Sequence, residues 1–248
     1  MKPRILLLST IIVTCLTVSA QKTFKVAAAA NLRSVFMAIK EKYEKENPRI
    51  KIEVTFGSSG TFVQQLLNGA PYDLFMAADK DFPIKLQNQG MTYGKVSTYA
   101  YGKLAIWSSS IPLNQGVSAL KNPNIKRISI AKPETAPYGD RAVEFLKKQN
   151  LFSDLQSKIV YGDNISAAAQ YAFTGNAEIG FVALSLALAP EMKGKGTYYI
   201  IPQEMYTPIE QACVLIKKSM RNLEAEKFMK YILGNSYNPL WEEYGYTK

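Results

Sequence analysis

Residues 25–36, KVAAAANLRSVF, decide the fold. They change from a run of small apolar residues, typical of a buried strand, to a helical pattern that begins near Asn31. A strand that leads directly into a helix places the unpaired N–H groups and the positive dipole end of the helix at the end of the sheet. Residues 56–61, FGSSGT, repeat this arrangement with two hydroxyls and two glycines. Because anions bind at helix starts without a charged partner, both junctions indicate an anion site.

The rest of the chain alternates short β-rich runs with helical patterns. This alternation predicts α/β units with mixed, mainly parallel sheets, and the length favours two such units. The predicted strands are 24–29, 50–56, 73–77, 103–108, 127–131, 158–161, 179–184, 197–201 and 211–216. The predicted helices are 32–43, 61–68, 80–89, 140–149, 164–174, 221–233 and 239–244.

Residues 1–20 have the features of an export signal. Lys2 and Arg4 precede an apolar run, and small residues at 18–20 suit a signal peptidase. The run is shorter than the roughly 20 apolar residues that a membrane-spanning helix needs. We therefore expect cleavage after residue 20 and a periplasmic mature protein, with a lipid-anchored form through Cys15 as the alternative.

The chain is basic and contains very few cysteines. Its formal net charge is +10, and removal of Lys2 and Arg4 would lower this to +8. The lysines are scattered rather than clustered, which favours a solvated surface over a nucleic-acid site and leaves weak attraction of an anionic ligand open. After cleavage Cys213 would be the single cysteine, and its apolar neighbours predict a buried packing residue.

The composition argues against an enzyme. The sequence contains no histidine, which removes the usual base for a serine or cysteine nucleophile and the commonest transition-metal ligand. A Ser-Lys hydrolase with Ser58 or Ser59 as the nucleophile is the enzyme alternative. No lysine lies in the FGSSGT loop, and no nucleophile-elbow pattern surrounds either serine. We predict a binding protein that has no catalytic residues and no cofactor.

Two carboxylates bracket one predicted strand, and they have a structural and a chemical interpretation. Asp73 and Asp79 could be hydrolytic or metal-binding groups, but we expect Asp79 to cap the following helix and Asp73 to hold the turn after Pro71. An adhesion module would need a sticky surface patch. The C-terminal aromatics have helical spacing and are predicted to be core: Trp241, Tyr244 and Tyr246.

Three further polar positions lie where strands end. Asn31 can cap its helix or donate its amide to a ligand. In residues 162–166, GDNIS, the N–H groups near Ile165 are predicted to be free, and Asp163 is expected to cap the helix because a carboxylate repels an anion. In residues 132–139, KPETAPYG, the hydroxyl of Tyr138 can donate into the same crevice or pack in the core.

An ordered series of motifs resembles the periplasmic molybdate-binding proteins of ABC transporters. The series comprises AAAANL at 27–32, FGSSGT at 56–61, GAPYDLFMAAD at 69–79, PETAPYG at 133–139 and GFVALS at 180–185. The resemblance runs from about Phe24 to the closing YGY at 244–246. Each motif alone is weak, whereas the ordered set is specific.

The resemblance implies a two-lobed type II periplasmic binding protein fold with a two-strand hinge. We place the crossings near 100–103 and 206–209, so that the first lobe comprises 21–102 and 207–248 and the second comprises 103–206. It also implies a high-affinity capture protein for molybdate and tungstate that delivers its ligand to an ABC permease in the inner membrane. Sulfate is the alternative oxyanion. We expect a monomer that does not bind nucleic acid.

By the same resemblance, the oxyanion would be held by neutral donors, and the metal would be bound only through its oxygen atoms. The residues carried over are the donors Ala30, Asn31, Ser59, Tyr138 and Ile165, with Ala78 lining the pocket. Some relatives have serine in place of Asn31, and some have tyrosine in place of Ala183. Here Tyr138 is expected to replace that tyrosine, which leaves the ligand preference open.

Overall fold

The computed structural model describes residues 21–217, 222–234 and 238–248. The predicted export signal, including Cys15, lies outside these residues, as does the first residue of the predicted helix 221–233. Within the described ranges, no helix combines the length and apolar character needed to cross a membrane.

The described residues contain ten strands in two sheets of five. In chain order the strands are β1 (Lys22–Ala29), β2 (Ile50–Gly57), β3 (Leu74–Met76), β4 (Thr92–Gly102), β5 (Leu104–Ser108), β6 (Ile128–Ala131), β7 (Ile159–Gly162), β8 (Ile179–Ala183), β9 (Thr197–Ile200) and β10 (Ile209–Ile216). The first sheet has the order β2-β1-β3-β10-β4, and the second has the order β7-β6-β8-β5-β9.

Both sheets are mixed, with parallel pairs on one side and antiparallel pairs on the other. Strand β1 runs parallel to β2 and β3, and β6 runs parallel to β7 and β8. Strand β10 is antiparallel to β3 and β4, and β5 is antiparallel to β8 and β9. The predicted α/β class with mixed sheets is confirmed. The carboxyl ends of β1, β2, β6 and β7 are each followed by a helix.

The described helices are α1 (Arg33–Glu46), α2 (Ser59–Leu67), α3 (Asp81–Asn88), α4 (Pro137–Lys148), α5 (Phe152–Leu155), α6 (Ile165–Phe173), α7 (Leu184–Ala187), α8 (Leu223–Leu233) and α9 (Asn238–Glu243). A 3₁₀ turn at Ala30–Leu32 precedes α1. The predicted strands and helices are all found to within a few residues. The short helices α5 and α7 and the strand β4 were not predicted.

Strand β4 lacks a clear sequence pattern for a physical reason. Much of it is only partly buried, so its apolar residues do not alternate cleanly. Gly94 has a positive φ of 69°, and the pairing with β10 contains register shifts. Register shifts of this kind interrupt the alternation of buried and exposed residues by which a strand is predicted from sequence.

The predicted core positions are buried. Helix α1 buries Val35, Phe36, Ile39 and Tyr43, which is its apolar stripe. Trp241 and Tyr246 are 0% and 2% exposed, which confirms that they are core, whereas Tyr244 is only partly buried and packs against the core. Cys213 is fully buried, and burial raises the pKa of its thiol to about 12, which makes it an unreactive packing residue.

The two bracketing carboxylates act structurally. Asp79 Oδ1 accepts a hydrogen bond from Phe82 N at 3.1 Å, so it bonds the first turn of α3, although the N-cap residue itself is Lys80 and not Asp79 as predicted. Asp73 Oδ2 accepts from Lys25 N on β1 at 2.7 Å, so this carboxylate bonds the start of β3 to β1, and its expected role in the turn after Pro71 stays a prediction. Among the residues that the structure describes, no group of acidic, cysteine or histidine side chains could hold a metal ion.

Candidate anion-binding site

The strand-to-helix junctions of the two sheets meet at one small cavity. It is lined by Ala29, Ala30, Asn31, Gly57, Ser58, Ser59, Ala78, Ala136, Pro137, Tyr138, Asn164 and Ile165. All six predicted site residues are in this set, whereas Ala183 is not. None of the lining side chains carries a charge, so the polar groups available to a ligand are neutral.

Four helical segments begin at the cavity. Ala30 and Asn31 lie in the 3₁₀ turn, Ser59 is the first residue of α2, Tyr138 is the second residue of α4, and Ile165 is the first residue of α6. The first N–H groups of a helix have no acceptor within it. The backbone therefore directs a set of donors, together with positive dipole ends, toward one point.

Ser59 adds a hydroxyl donor to these backbone groups. Its Oγ accepts a hydrogen bond from Ala78 N at 2.9 Å, and both residues are buried. Since the lone pair of Oγ holds the Ala78 N–H, the hydroxyl proton of Ser59 is left to donate. Ala78 shapes the wall of the cavity, and its N–H group is already used.

Asn31 does not cap its helix. Neither the 3₁₀ turn nor α1 has a side-chain capping bond. The Asn31 side chain is 1% exposed, and its Nδ2 donates to Gln211 Oε1 and to Tyr246 OH, each at 2.9 Å. Within the described part of the chain, Asn31 Oδ1 has no hydrogen-bond partner. The amide is therefore part of the cavity wall and of a buried polar network.

The hydroxyl of Tyr138 belongs to the same network. It accepts a hydrogen bond from Gln211 Nε2 at 3.0 Å, and Tyr138 is 1% exposed. Burial raises the pKa of this tyrosine well above its ordinary value, so the hydroxyl is neutral at physiological pH. A Cβ atom at Gly102 would lie 2.0 Å from the Tyr138 hydroxyl, so this close packing requires glycine.

Gln211 is a member of this polar network that sequence reasoning missed. It is fully buried on β10, and its Oε1 accepts hydrogen bonds from Asn31 and, at 2.9 Å, from Tyr99 OH. It thus links the 3₁₀ turn at the first sheet to α4 at the second. The available signal was a glutamine at the start of the apolar run QACVLI, because a buried amide requires partners.

Backbone and hydroxyl groups join the two sides of the cavity. Gly60 N donates to Thr135 O at 2.9 Å, and the hydroxyl of Ser58 donates to the same carbonyl. This use of Ser58 is a structural contact rather than an arrangement for nucleophilic attack.

Two serines on the second-sheet side bond to the 3₁₀ turn. Ser166 Oγ, on α6, donates to Ala30 O at 3.1 Å. Ser185 Oγ, in the GFVALS motif, donates to Asn31 O at 2.9 Å, and Tyr246 OH lies 3.0 Å from Ser185 Oγ. The 3₁₀ turn is therefore held from the opposite side of the cavity as well as from its own sheet.

The cap of α6 differs from the prediction. Asn164 Oδ1 accepts from Ser166 N and Ala167 N at 3.0 and 3.1 Å, so Asn164 is the capping residue. Asp163 instead forms an exposed ion pair with Lys132 at 2.6 Å. The expected cap at Asp163 was wrong by one position, because the side chain at the N-cap itself is the one that reaches the N–H groups of the first turn.

Charged groups lie beside the cavity but do not line it. Asp79 follows Ala78, and burial is the main cause that raises the pKa of its carboxyl to about 6. Asp81 and Asp140 raise it further, whereas the Phe82 N–H and Arg141 lower it. Ionised Asp79 is therefore unfavourable in the folded protein.

Glu144 ties α4 to the segment that precedes β10. Its Oε1 accepts from Thr207 N at 3.0 Å and from Thr207 Oγ1 at 2.8 Å. Partial burial alone would raise the pKa of this carboxyl, but hydrogen bonds from Lys148, Arg141 and Thr207 lower it to about 2. Glu144 is thus ionised at neutral pH and fixes the chain where it enters the first sheet.

Comparison with known proteins places this geometry in a family. Residues 24–247 match the family described as bacterial extracellular solute-binding protein. The chain is 39% identical over 225 residues to the molybdate-binding protein ModA of Azotobacter vinelandii, with 90% of this chain and 88% of the relative covered. It is 34% identical over 197 residues to ModA of Rhodobacter capsulatus, covering 79% and 77% of the two chains.

A solved structure supports the same grouping. The periplasmic molybdate-binding protein of Azotobacter vinelandii superposes with a TM-score of 0.85 at 33% sequence identity, covering 91% of this chain and 99% of that one. The arrangement of the two five-stranded sheets therefore matches the fold of a solved molybdate-binding protein. The chain belongs to the family of bacterial extracellular solute-binding proteins.

Proposed function

We propose that this protein captures molybdate in the periplasm and delivers it to an ABC permease of the inner membrane. The observation that carries the proposal is the cavity lined only by uncharged groups, at which four helical segments begin. Relatives named as molybdate-binding proteins, at 39% and 34% identity, support the choice of ligand. The oxyanion is bound intact, through Ala30, Asn31, Ser59, Tyr138 and Ile165, against the wall formed by Ala78.

Neutral donors suit a fully deprotonated dianion. Hydrogen bonds to a charged group are roughly twice as strong as neutral ones, so several of them hold a desolvated anion without a counter-charge. A protonated oxyanion such as hydrogen phosphate also needs an acceptor for its proton. A site built from N–H and O–H donors therefore disfavours phosphate.

Size separates molybdate from sulfate. Backbone N–H groups at helix starts have fixed positions, so a smaller anion leaves some bonds long or unmade. Each buried donor without a partner costs about 1–3 kcal/mol. Because about 1.4 kcal/mol corresponds to a tenfold change in affinity, two such losses are enough for clear discrimination. Tungstate, which has the same charge and shape as molybdate, is expected to bind in the same way.

We further propose two lobes, 21–102 with 207–248 and 103–206, that close on the ligand. The first sheet uses strands within 22–102 and 209–216, and the second uses strands within 104–200, which supports these boundaries. Donors from both sides then converge on one ion, so each bond formed across the cleft favours the closed form. The mature protein acts as a monomer, free in the periplasm and without a role in nucleic-acid binding.

Isothermal titration calorimetry with molybdate, tungstate, sulfate and phosphate tests the ligand class. We expect tight binding of molybdate and tungstate and weak or no binding of sulfate and phosphate. Tighter binding of sulfate than of molybdate would instead assign a sulfate-binding protein. Turnover of ester or phosphoester substrates by the purified protein would support the hydrolase alternative.

Small-angle X-ray scattering tests closure. The radius of gyration should decrease when molybdate is added to ligand-free protein, because the two lobes move together. Sulfate at the same concentration is the matched control and should leave the radius unchanged. An equal radius with and without molybdate would contradict closure.

A further inference from the structure

The unpaired oxygen of Asn31 is at odds with an anion site. Asn31 lines the cavity, and its Oδ1 is a buried acceptor without a partner in the described residues. A buried polar atom without a hydrogen bond is costly, and an acceptor at this position repels an anion instead of binding it. Its donor, Nδ2, is used by Gln211 and Tyr246. In this orientation the amide nitrogen of Asn31 is used within the protein, and only its oxygen, which cannot donate to an oxyanion, is left without a partner.

Each of the two side-chain amides could rotate by half a turn, so that its oxygen and nitrogen atoms trade places while the occupied positions stay the same. Their oxygen and nitrogen atoms are nearly the same size, so the contacts between Asn31 and Gln211 at 2.9 Å and between Gln211 and Tyr138 at 3.0 Å would keep their lengths. After the exchange, Gln211 Nε2 donates to Asn31 Oδ1. Asn31 Nδ2 then occupies the unpaired position and can donate to an anion.

The surrounding hydroxyls accommodate this exchange. Tyr138 OH, now facing Gln211 Oε1, becomes the donor of their bond. Tyr99 OH accepts the second hydrogen of Gln211 Nε2 and donates to Ala77 O, from which it lies 2.7 Å. Tyr246 OH, which accepts from Asn31 Nδ2 and lies 2.9 Å from Asn31 O, would turn its proton to Asn31 Oδ1.

The backbone oxygen of Asn31 keeps a partner in the exchanged arrangement, since Ser185 Oγ donates to it. The side chains named here then each have a partner, and Asn31 Nδ2, on a residue that lines the cavity, keeps hydrogen atoms to donate.

We propose that Gln211 is a positioning residue that sets the polarity of the oxyanion site through Asn31. In the anion-loaded protein both amides have the exchanged orientation, with Gln211 donating to Asn31 and Asn31 donating to the oxyanion. The proposal rests on the proposed oxyanion-binding function and adds a residue that does not line the cavity. Gln211 also contacts Tyr138 on α4, so the same side chain bonds to groups on both sides of the cavity.

Neutron diffraction from crystals of the deuterated protein grown with molybdate tests the orientation directly. We expect two deuterons on the Gln211 atom that faces Asn31 and Tyr99, and two on the Asn31 atom that faces the ion. Deuterons on the Gln211 atom that faces Tyr138 would overturn the inference. If molybdate does not bind in the cavity, the proposed function fails as well, so the two failures are distinguishable.

A double-mutant cycle tests whether Gln211 acts through Asn31. Gln211→Met keeps the length of the side chain but removes its polarity, and it should weaken molybdate binding by about 10- to 100-fold in calorimetry. In an Asn31→Ala background the same change should weaken binding by less than about threefold, because coupled residues are non-additive. The exposed Gln64→Met is the matched control, with unchanged affinity expected.

Independent losses in this cycle would overturn the inference, because they would show a role for Gln211 that does not require Asn31. Wild-type affinity in Gln211→Met would overturn it too. If Gln211→Met does not fold, the neutron experiment decides the question, because it uses the wild-type protein.

Discussion

The backbone nitrogen of Gly60 lies 2.9 Å from the carbonyl oxygen of Thr135. This bond joins the first turn of α2, which follows the first sheet, to the loop before α4, which follows the second. A Cβ atom at position 60 would lie 2.8 Å from the Cα atom of Thr135, closer than such atoms approach in proteins. The two sides of the cavity can therefore meet here only because residue 60 has no side chain.

We predict that Gly60→Ala prevents full closure without unfolding the protein. The added methyl group has to be accommodated against backbone, so molybdate affinity should fall by about tenfold or more, an order of magnitude for each 1.4 kcal/mol. Calorimetry and small-angle scattering measure the two effects. Gly234→Ala is the control, because its φ is −69° and the nearest atom to an added Cβ is 3.4 Å away. Unchanged affinity in Gly60→Ala would contradict the proposed contact.

Ser59→Ala should weaken molybdate binding and leave the fold intact. The change removes the hydroxyl donor and also the acceptor of the Ala78 N–H. Loss of a hydrogen bond to a charged group corresponds to about 1.5–3 kcal/mol, or roughly 10- to 100-fold in affinity. Titration calorimetry measures the change, with the exposed Ser153→Ala as the control. Equal affinities of Ser59→Ala and wild type would remove Ser59 from the site.

Tyr138→Phe should lower both stability and affinity. Without the hydroxyl, the buried amide of Gln211 loses its partner at 3.0 Å, which costs about 1–3 kcal/mol in the free energy of unfolding. Denaturant unfolding in the absence of ligand measures this cost, and calorimetry measures the affinity. Tyr161→Phe is the matched control, since Tyr161 is 44% exposed. Wild-type stability of Tyr138→Phe would show that the network does not depend on this hydroxyl.

Asp79→Asn should stabilise the ligand-free protein at neutral pH. The ordinary pKa of the carboxyl is 3.8, and burial raises it to about 6 in the folded protein. As the pH rises from about 3.8 to 6, the unfolded chain loses this proton first, so the free energy of unfolding falls and then levels off. Asparagine keeps an acceptor for Phe82 N but does not ionise, so the free energy of unfolding no longer falls over this pH range.

The melting temperature measured from pH 4 to 7.5 tests the Asp79 prediction. The variant and the wild type should be similar at the acid end of this range and should diverge toward neutral pH, with the variant more stable. Asp154→Asn, an exposed change on α5, should follow the wild-type curve. A lower melting temperature of Asp79→Asn at pH 7 would show that the ionised carboxylate stabilises the fold.

Local sequence patterns were sufficient for most of the secondary structure. Apolar periodicity located α1, and the Ser, Asn and Gly residues at strand ends located the starts of α2 and α6. These features depend on neighbours in the chain, so they can be read from one sequence. Strand β4 was missed because its partial exposure and its register shifts with β10 remove the alternation.

All six predicted site residues line one cavity, and the physical reason lies in the geometry of parallel sheets. Donors at the carboxyl ends of parallel strands share one edge of a sheet, so the junction motifs indicate the edge even before the fold is known. The motif at 162–166 correctly predicted a helix start, but the predicted capping residue was wrong. Asn164 rather than Asp163 bonds the first turn of α6.

By itself the sequence determined the strand-to-helix junctions, the neutral character of their donors and the absence of histidine. Only the tertiary structure decided which groups those donors face. Gln211 lies 180 residues from Asn31 and 73 from Tyr138, yet it bonds to both. Such contacts follow from strand order, which places β10 beside β3 and β4, and no local pattern records a partner so distant in the chain.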